Sequence, residues 1–340
     1  MKKRWPLLVV FLALAALAFW LWRTNTGNTL AGPLTDFAVP DTAAVNRIFI
    51  AQKNGATVDL RRTEGGWTAD GIPAKNFQVD ILLQTFKLVE LRAPVPKSGQ
   101  ENVLRVMAGM ATKVEIYQGG KKPMKIWWVG QSTQDHYGTY MVLEIPGKGR
   151  SSVPYVMGMT SFTGVLNTRF TADMATWRST EVTKYPDLTK VTSVRVDNPT
   201  DSATSFTITY AGGNDLKLLN SRGVSVPMDS ARVKDVLLYV RASNYEYIED
   251  QIDKTRRDSV LASTPWHILT ITTDEGVQRV PFWRKPPPTA EQNLEHQPLF
   301  SDQDRMFALL NDTTLVVVQR QWFDFMTPSL EDLRAKKAAK

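Results

Sequence analysis

The chain has 340 residues, a formal net charge of +7 and no cysteine. That length supports a sizeable core and two domains, and the lack of cysteine excludes a disulfide framework, a thiolate nucleophile and Cys-based zinc or iron–sulfur sites. The charge sits at the ends: residues 1–23 hold four basic groups and no acid, residues 327–340 hold Arg334, Lys336, Lys337 and Lys340 against Glu331 and Asp332, and the rest is close to neutral. A nucleic-acid binder gathers its basic groups on a folded face, so nucleic acid is not an expected partner.

The first element is Leu7–Trp22, an apolar run bounded by Lys2, Lys3 and Arg4. Counted from Trp5 it makes a helix of about 27 Å, close to the ~30 Å hydrocarbon core of a bilayer. Trp5, Trp20 and Trp22 lie at its ends, where indoles favour the membrane–water boundary. The run closes on Phe19-Trp20-Leu21-Trp22 rather than the small residues a signal peptidase needs. The expectation is a retained transmembrane helix over residues 1–23, contacting the lipid bilayer through 5–22, with the N-terminus inside by the positive-inside bias. Thr24–Pro40, rich in Thr, Asn, Gly and Pro, reads as a linker covering 24–41.

Beyond it the pattern becomes regular. Val45–Ile50 and Thr57–Arg62 read as strands joined at Asn54-Gly55, a favoured hairpin signal. Val79, Leu82, Leu83, Phe86 and Val89 define one face of a helix, stopped by Pro94 and Pro96. A short helix over 101–110 is followed by strands at Lys113–Tyr117, Met124–Val129 and Thr139–Glu144. The second half repeats this grammar: Val226-Pro227 stands 154 positions after Ile72-Pro73, and at that offset Val233, Val236, Leu237 and Val240 replace Val79, Leu82, Leu83 and Phe86. The expected fold class is α+β: a single N-terminal transmembrane helix, then two similar units of antiparallel sheet plus amphipathic helix at 42–186 and 187–326, and a short basic helix and tail at 327–340. The Pro-rich stretch Arg284–Pro298 reads as a solvent-projecting loop.

The passage Val129-Gly130-Gln131, Gly138-Thr139-Tyr140 and Val153-Pro154-Tyr155-Val156, with Gly66-Trp67 upstream, resembles the domain of unknown function 4340 family. These are bacterial envelope proteins, some linked to accessory subunits of gliding-type ABC transporters. The resemblance covers most of residues 42–326. It implies bacterial origin, an envelope location and a role beside a transporter or secretion assembly, within an envelope membrane-protein complex. It supplies no catalytic residue. With the orientation of the apolar anchor, the expected location is the bacterial inner membrane with the bulk of the chain in the periplasm.

Chemistry is sparse along the chain. His136, His267 and His296 lie outside metal-ligand spacing of one another, so neither a metal nor a cofactor is expected. Asp135-His136 is the sharpest acid/base pair, but neighbours on an extended chain point to opposite sides. No G-x-S-x-G elbow or phosphate cradle occurs. Aromatics and arginines beside polar residues have the composition of recognition surfaces, which makes Asp135, His136, Tyr137, Tyr140, Arg169, Trp177 and Arg178 the candidate partner-binding residues. The expected function is a non-enzymatic, membrane-anchored interaction protein, an accessory subunit of a transport, secretion or motility assembly. A glycan- or peptidoglycan-binding module using Trp127, Trp128 or Tyr140 is the second reading.

Overall fold

A computed structural model describes residues 12–16, 19, 30–31, 33–210, 215–287 and 300–335. The chain forms two compact units, Met1–Ser179 and Thr180–Lys340.

In the first unit, β2 (Arg47–Ala51), β3 (Thr57–Thr63), β4 (Gly66–Ala69) and β5 (Ile72–Pro73) run as successive antiparallel hairpins. The turn at Asn54-Gly55 forms because Gly55 takes φ +89°, which only glycine adopts without strain. Helix α1 (Asn76–Leu88) follows, then β6 (Val89–Pro94) and α2 (Lys97–Met110). Strands β7 (Thr112–Tyr117), β8 (Lys125–Ser132), β9 (Thr139–Ile145) and β11 (Tyr155–Met159) complete the sheet, with α3 (Met174–Trp177) closing the unit. Read across the hydrogen bonds, the order is β5-β4-β3-β2-β7-β8-β9-β11-β6. The short strands β10 (Gly149–Ser151) and β1 (Leu30–Ala31) extend the β9 edge, and β1–β10 is a parallel pair.

Period-2 alternation sends Ile48, Ile50, Val58, Leu60, Val114, Ile116 and Trp127 to one face, where Val79, Leu82, Leu83 and Phe86 of α1 meet them. The other face is covered by α2, whose Val103 and Met107 pack on Val142.

The second unit has the same strand order. Strands β13 (Val191–Asp197), β14 (Phe206–Tyr210), β15 (Leu216–Asn220), β16 (Ser225–Val226), β18 (Tyr247–Ile248), β19 (His267–Thr273), β20 (Val277–Arg284), β21 (Arg305–Leu310) and β22 (Thr314–Gln319) pair as β16-β15-β14-β13-β19-β20-β21-β22-β18. Helix α4 (Ser230–Arg241) buries Val233, Val236, Leu237 and Val240 on one face. Val260 and Leu261 of α5 (Lys254–Ala262) pack with Trp283 and Phe307 on the other. A two-stranded pair, β12 (Glu181–Lys184) with β17 (Ala242–Asn244), stands beside α4. After β22 come the single-turn helices α6 (Arg320–Phe323) and α7 (Leu330–Leu333).

Each unit is closed alike. Ala74 bridges Arg178 and Met228 bridges Arg334; Lys75 N–H donates to Trp177 O at 2.7 Å and Asp229 N–H to Leu333 O at 2.8 Å. The last turn of each unit is thereby tied to the residue preceding its main helix, which satisfies donors at that helix start.

Two expectations are corrected. The α+β architecture with a leading transmembrane helix gives way to two large, predominantly antiparallel sheets with few helices. Strands of two or three residues, such as β5, β16 and β18, are too short to show alternation in a sequence, so strand content is underread. Among the described residues no helix is long and apolar enough to cross a membrane, which takes about 20 consecutive, mostly apolar residues in one helix, so the single-pass inner-membrane placement is withdrawn. Trp5, Trp20 and Trp22, read as membrane anchors, lie outside the described residues, as do 288–299 of the Pro-rich stretch.

The expected linker is also shorter than its composition suggests. Phe37 and Val39 are buried in the first core, and Lys125 Nζ donates to the carbonyls of Asp36 and Ala38 at 2.7 and 2.6 Å.

Candidate functional site

The seven sequence candidates all fall in the first unit and separate into four places. Asp135, His136 and Tyr137 sit on the β8–β9 turn. Thr133 Oγ1 donates to Asp135, and Asp135 Oδ1 accepts Tyr137 N–H at 3.0 Å. Gly138 N–H donates to Thr133 Oγ1 at 3.0 Å. His136 takes φ +57°, the left-handed region that is costly for a residue with a Cβ. Arg92 of β6 donates to Tyr137 O, and to Phe162 O at 3.0 Å. It lies across Gly158, where any Cβ would overlap its guanidinium. Asp135 therefore spends its carboxylate on the turn, and the bond from Thr133 holds it below the usual carboxylate range. The result is a well-braced loop displaying Tyr137, 58% exposed.

Tyr140 lies half-buried in the cluster under α2. Arg169 donates to Thr85 Oγ1 at 2.8 Å and stacks 4.5 Å over Phe162; burial pushes its pKa down. Trp177 is fully buried, its Nε1 donating to Thr171 O at 2.9 Å, so it is a packing residue and offers no surface. Arg178 forms the closing bridge to Ala74. Of the two tryptophans read as stacking platforms, Trp127 is fully buried in the core. Trp128 donates to Glu144 at 2.8 Å and is flanked by Arg150 at 4.2 Å, Lys113 at 5.7 Å and Lys53 at 5.9 Å. Trp128 is thus already occupied by the protein's own cations.

The second unit holds an arrangement that pattern reading missed. Two residue pairs, each three apart, divide the turn after β22: Phe323 and Met326 are fully buried, while Trp322 and Phe325 are 50% and 53% exposed. Tyr239 of α4 stacks on Phe325 with ring centroids 4.8 Å apart and planes within 6°, and approaches Trp322 at 6.2 Å. The three rings make a continuous ridge beside exposed Leu238.

Hydrogen bonds fix this ridge. Trp322 Nε1 donates to Gln319 Oε1 at 3.2 Å, as does Gln321 Nε2 at 3.0 Å. The Gln319 amide donates in turn to Glu246, which accepts from Arg305 Nε and Nη2 at 2.8 and 2.9 Å. Arg305 holds the Glu246 carboxyl below its ordinary range, and Glu246 raises the Arg305 guanidinium. A bidentate arginine–carboxylate pair thereby anchors the amide that orients the indole.

Two open cavities border the ridge. One of about 340 Å³ is lined by Tyr239, Ser243, Asn244, Glu246, Gln319 and Trp322 among others. The other, about 450 Å³, is lined by Arg232, Asp235, Asp324, Phe325, Asp332 and Leu333 among others. Both fall within the size range of ligand sites.

His267 lies apart from them. Burial, with Arg284 and Arg320 nearby, lowers its pKa to about 4, so the ring is neutral at pH 7 and its Nδ1 meets Asn198 Oδ1 at 2.5 Å. Among the described residues no group of three His, Asp or Glu side chains is placed to hold a metal ion.

Comparison with known proteins adds no assignment: no family model, no curated protein and no solved structure matches the chain.

Proposed function

We propose that this chain is a non-enzymatic binding protein, an accessory subunit of a larger assembly, that recognises its partner through the aromatic ridge of the second unit. The observation that carries the reading is the half-exposed Trp322, fixed by Gln319 and tilted against Tyr239, which itself stacks on Phe325. Exposed aromatic rings forgo burial worth on the order of 1 kcal/mol each, and fixing them in advance lowers the entropy lost on binding. Rings so placed serve recognition rather than stability. The narrower role, in a transport, secretion or motility assembly, is supported by the family resemblance alone.

The test is affinity capture with chemical crosslinking from the native host, comparing the full chain with the triple variant Tyr239→Ala, Trp322→Ala, Phe325→Ala. Loss of the captured partner with the triple variant is expected. Equal capture by both proteins contradicts the assignment of the ridge.

A further inference from the structure

The chemistry around the ridge narrows the ligand class, on the reading that the ridge is the recognition surface. Arg232, Asp235, Val236 and Tyr239 fall at i, i+3, i+4 and i+7 along α4, one face of the helix. The two cavities therefore open along a common line, with the rings between them. Hydrogen-bonding and apolar side chains alternate along this line: Ser243, Asn244, Glu246 and Gln319 lie in one cavity, and Arg232, Asp235, Asp324 and Asp332 beside Val236, Pro328 and Leu333 in the other. Each cavity also has an aromatic wall, Tyr239 and Trp322 in the first and Phe325 in the second.

The charge on this line discriminates among partners. Glu246 is neutralised by Arg305 and Asp324 by Arg320, which leaves Asp235 and Asp332 against Arg232, a slight acidic excess. A polyanion such as nucleic acid or an acidic polysaccharide finds no net positive charge here. A protein anchor seeks a deep, desolvated pocket at the centre of an interface, whereas these cavities are open and polar-rimmed. A ligand with flat apolar faces and a polar perimeter fits better. Its C–H faces lie on the negative faces of the rings, and its hydroxyls exchange hydrogen bonds with the amides and carboxylates that project beside them.

We propose that the Trp322–Tyr239–Phe325 ridge and its two flanking cavities bind a neutral or amino-sugar oligosaccharide, with sugar rings stacked on the aromatics and hydroxyl or amino groups seated beside Gln319 and Glu246 on one side and Asp235 and Asp324 on the other. Because the cavities are separated by the ridge, the site takes an oligomer in preference to a single sugar. The pre-bonded Glu246–Gln319–Trp322 chain sets the orientation of the first ring. An amino group in place of a hydroxyl gains from the carboxylate of Asp235.

The experiment is an array of neutral, amino-sugar and acidic oligosaccharides probed with the full chain, each hit then titrated by isothermal calorimetry. Retention of neutral or amino-sugar oligomers is expected, with at least tenfold weaker binding by Trp322→Ala and by Gln319→Ala. Trp322→Phe, which keeps a ring, is expected to bind within a few-fold of the unaltered chain, and Trp128→Ala is expected to bind unchanged. Unaltered melting of Trp322→Ala by circular dichroism establishes that lost binding is not lost folding, and Trp322→Phe carries the comparison if that variant melts early. Binding of acidic oligomers alone, undiminished binding by Trp322→Ala, or no binding overturns the proposal. A protein crosslinked at Trp322 with no saccharide bound overturns the ligand class and leaves the ridge as a recognition surface; neither saccharide nor ridge-dependent partner removes both.

Discussion

The two units share a strand order but differ in how far their aromatic residues are drawn into the core. In the first, Phe37, Phe86, Trp127 and Phe170 form a buried cluster with ring centroids from 5.0 to 6.4 Å apart. In the second, the space beneath the main helix is filled mostly by Val194, Val196, Val233, Val236, Val316 and Val318, with Phe282 and Phe323 in contact at 5.5 Å. Trp322 and Phe325 stay half-exposed, and Tyr239, which stacks on Phe325, packs at the edge of the core. One sheet order therefore accepts either an aromatic or an aliphatic filling, because what the scaffold requires is volume at native density. A largely aliphatic filling, with Phe206, Phe282 and Phe323 among it, supplies that volume in the second unit and leaves Trp322 and Phe325 at the surface.

The comparison is sharpest at its largest expected effect. Trp127→Ala is expected to destabilise the first unit by about 3–5 kcal/mol, the range for deleting a buried aromatic; hydrogen exchange resolved by unit is expected to show the loss in residues 33–179 alone. A cost under about 1 kcal/mol would break the claim that the first unit depends on its aromatic core.

Acid is expected to act on the other unit. The folded state keeps His267 neutral down to about pH 4, whereas the unfolded chain takes up its proton near 6.5. Between those values the unfolded state binds more protons, so stability falls as pH falls. The loss amounts to about 3 kcal/mol at most, complete near pH 4. The strand that occupies the same place in the first unit begins with Thr112, which does not titrate. Melting curves from pH 7 to 4 are expected to show the second unit loosening first, and His267→Gln is expected to flatten that slope.

The smallest stability effect is expected at the ridge. Trp322→Ala removes a half-exposed ring and should shift stability by less than about 1 kcal/mol, against the several expected for Trp127→Ala. Similar costs for the two would show that the ridge is a structural feature, and the contrast between the units would collapse.

Much of the scaffold was legible where burial imposes a period. Val79, Leu82, Leu83 and Phe86 read as one helix face and are buried, as are Val233, Val236, Leu237 and Val240, because a helix on a sheet must hide a stripe at 3.6-residue spacing. Asn54-Gly55 read as a hairpin turn and Gly55 has positive φ. Local pattern failed where function departs from burial. Trp177, a candidate for partner binding that could equally pack, fills the core, whereas Trp322, which drew no functional reading, is displayed. Which member of a Trp322-Phe323 pair faces outward depends on where the preceding strand ends, and hydrophobicity does not encode that. The i, i+3 spacing of Trp322 and Phe325 against Phe323 and Met326 was the available signal. The transmembrane expectation rested on the apolar length of Leu7–Trp22, its basic flank and its terminal tryptophans, and among the described residues no spanning helix is found.

The most direct test of the recognition surface is hydroxyl-radical footprinting of the full chain, read by mass spectrometry with and without the partner or ligand it captures. Strong protection of Trp322, Phe325 and Tyr239 is expected, with exposed Tyr137 on the β8–β9 turn left unchanged. Protection at Tyr137 with the ridge still oxidised would place recognition on the first unit and contradict the account.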